Sequence, residues 1–186
     1  MRLKPYVVVG LIALGYASRL LEHPYNFTPV IALAFIAAIY LRPRALAFVL
    51  PLLGTWLSDI VLNNTRYAEY YDGFSLFGDP GTYLGIAAAA GLVLLARLRA
   101  SNGLVRLAGG TLLAATAFFV VSNFVVWLSG TLYTLDFAGL LECYTAALPF
   151  FRGTLSSTVL YGLLGVLAFR TLHQFVPALR LSTANA

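Results

Sequence analysis

The residues of this chain with the most chemical scope are His23, Asp59, Cys143 and Arg152, and each lies in or beside an apolar run. An imidazole such as His23 binds a metal through a ring nitrogen or moves a proton, and at a helix end it also serves as a plain cap. Asp59, in TWLSDIVLN, carries a carboxylate that costs roughly 2.5–3.5 kcal/mol at mid-membrane depth on insertion scales. It must face protein or water. It either accepts hydrogen bonds from a ligand or closes the helix and pairs with an arginine. Cys143 is the single cysteine, so no intramolecular disulfide or four-cysteine zinc site exists. Its thiol is either a soft metal ligand or a small buried apolar group. Arg152 pairs with Glu142 or Asp59, or holds an anion.

Polar and aromatic side chains at helical spacing accompany these four. Trp56 precedes Asp59 by three residues and shares its face; Asn123 and Trp127 are four apart in SNFVVW. Tyr144 follows Cys143 directly and Tyr83 follows Asp79 by four. Asn26 sits between two prolines in HPYNFTP, a turn setting. An interfacial aromatic belt explains the tryptophans without a ligand, and helix packing explains Asn123 equally well. The chain has no HExxH, no GxSxG and no nucleotide-binding loop. An enzyme would have to be built from His23 with Asp59, or from Cys143 with a base.

The elements that must position these groups are apolar. Of 186 residues, 60% are hydrophobic and 10% charged, against about 25% charged in a soluble domain. That composition belongs in a lipid bilayer. Apolar runs predict six transmembrane helices at about 5–21, 28–41, 44–62, 80–98, 104–128 and 154–174. A short helix at 136–149 is expected on the outer face. Backbone satisfaction in lipid and the long unalternating runs make the fold class all-α, a polytopic membrane protein in a single domain spanning 1–186. Thr28 before Pro29 and Asp79 before Pro80 are helix-start signals, and Pro51 lies inside the third helix. The loop 63–79, rich in tyrosine and acid, is either a lid or an interfacial anchor.

Formal charge is +5, scattered in small groups, which is not a nucleic-acid footprint. With six spans, nine of the twelve basic residues fall on one side: Arg2, Lys4, Arg42, Arg44, Arg97, Arg99, Arg106, Arg170 and Arg180. The positive-inside rule places that side and both termini in the cytoplasm. All seven acids fall at the opposite side or near it. Asn26 and Asn63 also match glycosylation acceptors.

The stretches EHPYNFTPVIALAFIAA, LPLLGTWLSD, SNFVVWLSG and GLLECYTAALPFFRGTL resemble a family of small bacterial membrane proteins of unknown function. That family is in turn similar to the substrate-binding (S) components of energy-coupling-factor vitamin transporters, and to the solitary cobalamin transporters. The resemblance implies an S-component-like bundle of six helices in the bacterial inner membrane, with an outward-facing cavity for cobalamin, another corrinoid or another vitamin. It implies no intrinsic cofactor, and an energising transmembrane subunit with ATPases as a partner. It maps ligand-binding roles onto His23, Asp59, Tyr83 and Arg152. The cobalamin transporters place a cobalt-ligating cysteine just before the tyrosine; here that region is FGDPGTY, which leaves His23 or Cys143 as the cobalt ligand. Small-xxx-small spacings at Ala13/Ala17 and Ala34/Ala38 match the docking face of such components. Three functions stay open: vitamin uptake, a membrane enzyme acting on a lipid or small molecule, and a structural or partner-binding subunit.

Overall fold

A computed structural model describes residues 4–24, 26–96 and 104–179, with the side chains of 104–106 left out. Arg2, Arg97, Arg99 and Arg180 and the side chain of Arg106, all used above for orientation, lie outside the described residues, as does the end of the span expected at 80–98. Six α-helices are described: α1 (Pro5–Ser18), α2 (Val30–Tyr40), α3 (Arg44–Asn63), α4 (Pro80–Leu95), α5 (Leu104–Leu128) and α6 (Phe137–Phe175).

The sequence punctuation explains most of the boundaries. Pro5 opens α1, where a missing amide costs nothing. Asp79 caps α4, its carboxylate accepting the Thr82 amide at 2.8 Å, with Pro80 next in line. Asp136 caps α6 in the same way through Gly139. At α2 the cap position is Pro29, and no side chain caps it, so Thr28 does not act as expected.

α2 occupies the centre. Every residue from Val30 to Ala37 is buried, which is why it is apolar on all faces. The other helices form an arc around it in the order α1, α3, α4, α5, α6, each packed on its neighbours and on α2. Rings and small residues set the spacing: Tyr40 stacks on Phe169 with centroids 4.3 Å apart, and Phe27 meets Tyr161. Lys4, Arg42, Arg44 and Arg170 lie at the end formed by the start of α1, the α2–α3 turn and the close of α6. The opposite, acidic end holds the close of α1 and α3, the loop 64–79 and the start of α6.

The expectation of six spans is overturned. Among the described residues only three helices are long and apolar enough to cross a membrane: α3, α5 (over Leu107–Leu128) and α6. At 1.5 Å per residue, α1, α2 and α4 reach about 21, 16 and 24 Å, short of a hydrocarbon core of about 30 Å. The apolar run of α2 reflects burial in protein, not contact with lipid. The separate outer-face helix is also corrected. Residues 136–149 and 154–174 belong to one 39-residue helix, α6. Pro149 does not break it; its ring is exposed, on the opposite side from buried Cys143 and Ala147. The described residues therefore do not build the six-span S-component-like bundle.

Candidate functional site

The polar side chains near the acidic end fall into two groups, one shared by α1, α3 and α4, the other by α5 and α6. The first is a node centred on Asp59. Its Oδ1 accepts Arg19 Nη1 at 2.6 Å, and its Oδ2 accepts the Tyr83 hydroxyl at 2.6 Å. The two side chains of the ion pair are 15% and 6% exposed. Arg19 Nη1 also donates to Ser58 Oγ at 2.5 Å and to the Thr55 carbonyl at 3.4 Å. The Tyr83 hydroxyl in turn accepts the Gly78 amide at 3.1 Å. One carboxylate thus links the end of α1, the last turns of α3, the first turn of α4 and the end of the loop.

Local sequence explains why these groups meet. Ser58 and Asp59 lie one to two turns before the end of α3, on its buried face. Asp79 and Pro80 start α4 so that Tyr83 falls one turn in, level with Asp59. Gly78 leaves room for the node: a Cβ there would overlap the Asp59 carboxylate, so either the carboxylate or the loop would have to shift. The loop is pinned from below as well: Asn64 exchanges two hydrogen bonds with the Ser75 backbone, and Asn63 donates to the Phe77 carbonyl. Asn63 is only 5% exposed, so it does not present a glycosylation acceptor. Tyr71, in the loop, has its hydroxyl pKa pushed up by partial burial and then by the carboxylates of Asp59 and Asp79. Arg66 fastens the other side, donating to the carbonyls of Leu20 and Leu21 past the end of α1.

Trp56 stands beside this node. Its indole lies 6.4 Å from the Phe77 ring, and its Nε1 is buried with no hydrogen-bond partner. A buried donor left unpaired is uncommon and costs about 1–3 kcal/mol. Trp56, Phe77 and Tyr83 also line a shallow, open and almost wholly apolar groove of about 460 Å³ with Val49, Leu52 and Leu53.

The second group is satisfied within a helical hairpin. Asn123 donates to the Phe119 carbonyl of its own helix, and the Cys143 thiol donates to the Asn123 carbonyl at 3.4 Å. The Tyr144 hydroxyl donates to the Val120 carbonyl at 2.6 Å, and Trp127 Nε1 to the Thr134 carbonyl at 2.9 Å. Arg152 is exposed and makes no ion pair among the described residues, so its expected pairing with Asp59 is made by Arg19 instead. His23 contacts its own turn, Nδ1 donating to the Pro24 carbonyl at 3.2 Å. Asn26 is exposed with φ at 54°, the left-handed turn residue its setting suggested. Neither His23 nor Cys143 belongs to a cluster of three metal-ligating side chains among the described residues.

Of the ten candidates, then, the structure brings together Trp56, Asp59 and Tyr83 at one corner, and Asn123, Trp127, Cys143 and Tyr144 along α5 and α6. His23, Asn26 and Arg152 contribute to neither network. The residue that sequence reasoning missed is Arg19. Its signal was its position, since it is one of three basic residues at the acidic end and closes an apolar run.

Long apolar helices around a buried ion pair define a membrane-associated, all-α protein. The chain belongs to DUF6580, a family of unknown function, whose profile matches residues 1–179. No curated protein and no solved structure matches it.

Proposed function

We propose that this chain is a membrane uptake protein of the bacterial inner membrane, and that it takes a vitamin- or cofactor-like solute at the Arg19–Asp59–Tyr83 node. The supporting observation is the node itself. A buried ion pair is a poor source of stability, because apolar side chains of similar volume pack as well or better. An ionisable pair within a membrane bundle is by default a working group. Here it is shared by three helices and tied through the Tyr83 hydroxyl to Gly78 at the end of the loop.

In this reading the acidic end faces outwards and both termini face the cytoplasm, as the basic residues at the opposite end favour. The structure is the closed state. Binding exchanges the Arg19–Asp59 and Tyr83–Asp59 contacts for contacts with solute and frees Gly78, and the end of the loop lifts as the Asn63–Phe77 hydrogen bond gives way with it. The sequence resemblance to vitamin-binding components supports the solute class, with cobalamin and other corrinoids the first to try. The enzyme reading lacks its parts: Asp59 is hydrogen-bonded to Arg19 and Tyr83, and the Cys143 thiol to a carbonyl.

One observation favours partner binding as a second role. Ala13 and Ala17 are exposed one turn apart on α1, whereas Ala34 is buried in the core. An energising transmembrane subunit with its ATPases would approach closely there. The test of uptake is a binding screen of detergent-purified protein against vitamins and corrinoids, repeated with Asp59→Asn and Tyr83→Phe. A hit weakened by both substitutions supports the node; a hit indifferent to both removes it.

A further inference from the structure

The following rests on the uptake reading and names the charge class of the solute. We propose that the node selects a dipolar solute, one that carries an anionic group and a cationic or multiply donating group on a frame with an apolar face.

The argument is one of charge accounting. Arg19 and Asp59 neutralise each other in a buried setting, 15% and 6% exposed. A solute that enters between them must replace both halves of the pair. A simple anion satisfies Arg19 and leaves the Asp59 carboxylate with a tyrosine hydroxyl alone. A simple cation satisfies Asp59 and strands the guanidinium against Ser58 and the Thr55 carbonyl. Either leaves a charge buried without a counter-charge, which is strongly unfavourable. A dipolar solute compensates both.

Trp56 supplies an independent observation. Its Nε1 is the buried side-chain polar atom without a partner among the described residues. It lies three residues before Asp59 on α3, and its ring neighbours Phe77, next to the Gly78 that Tyr83 holds. An indole N–H only donates, so an acceptor is what it lacks. The Trp56 and Phe77 rings offer the apolar surface for the frame of the solute. Lifting the loop moves Phe77 and Gly78 together, and so opens the approach to Trp56 and Asp59 in one motion.

The chain has two tryptophans, and Trp127 belongs to the hairpin of α5 and α6. In a Trp127→Phe background the emission of Trp56 is a site reporter. The experiment screens that protein, in detergent, against metabolite-sized compounds sorted as dipolar, cationic only and anionic only, reading melting temperature and Trp56 emission. The expected result is stabilisation by dipolar compounds with a shift in Trp56 emission. Adding Trp56→Phe then weakens their binding about tenfold, the loss of one buried hydrogen bond. Stabilisers from a single-charge class overturn the inference while leaving the uptake reading in place. Dipolar stabilisers that leave Trp56 emission and the Trp56→Phe affinity unchanged overturn the part given to Trp56. A screen in which no compound of any class binds overturns the uptake reading and the inference with it.

Discussion

Two corners of this bundle treat polar groups in opposite ways. In the α5–α6 hairpin Asn123, Tyr144 and Trp127 each donate to a nearby backbone carbonyl. No charge is buried, and the surroundings are exposed apolar residues such as Phe137 at 80% and Leu141 at 60%. In the α1–α3–α4 corner a charged pair is buried, tied by side chain to side chain, and depends on residues 40 and 24 positions apart in sequence. Groups of the first kind end helices and fix a turn. A cluster of the second kind is costly to build and sensitive to the loss of any member, and the proposed function rests on that difference.

Substitutions should separate the two corners sharply. Asp59→Ala leaves the Arg19 guanidinium buried and unpaired, and is expected to cost about 3–5 kcal/mol. Cys143→Ala, equally buried but uncharged, is expected to cost only about 1 kcal/mol. Thermal melts of the two variants in one detergent make the comparison; equal losses would erase the distinction. Next in size is Gly78→Ala, where the new Cβ meets the Asp59 carboxylate and either the carboxylate or the loop must shift. About 1–3 kcal/mol is expected, together with faster proteolysis within residues 64–78. Unchanged protease resistance would show that the loop is not held by the node.

In the hairpin, Trp127→Phe removes one hydrogen bond to the Thr134 carbonyl and is expected to cost about 0.5–1.5 kcal/mol. Hydrogen exchange should show the effect confined to residues 129–139. The smallest effect concerns pH. Asp136 has a carboxyl pKa held below its usual value, first by the Gly139 amide and then by the Thr134 hydroxyl. Folding therefore favours the ionised cap. Its contribution is complete above the ordinary carboxylate range and fades as pH falls through the depressed pKa of Asp136. Exchange protection in the first turn of α6 should weaken on acidification in the natural chain, and Asp136→Asn should flatten that dependence.

How far the sequence foretold all this differs by region for physical reasons. The helix start at Asp79–Pro80 was legible because capping is local. The bounds of α3 and α5 were legible because the apolar runs end where the helices end. The number of spans was not, because α2 is apolar for protein neighbours and hydropathy does not distinguish them from lipid. The short helix expected at 136–149 runs on into the span expected at 154–174, because a proline such as Pro149, whose ring points away from the packing face, leaves the helix continuous. Asp59 and Tyr83 stood out as polar groups at helix ends, but the partner of Asp59 did not. Arg19 lies forty residues away, and only the packing of α1 on α3 selects it over Arg152.

The central claim is that the node exists for binding and not for stability. Replacing it whole, with Arg19→Met, Asp59→Leu and Tyr83→Phe in one protein, tests that directly in a thermal melt run with and without the stabilising solutes. The account predicts a melting temperature at or above that of the natural chain, with the response to solute gone. A protein that melts well below the natural chain and still responds to the same solutes would contradict it.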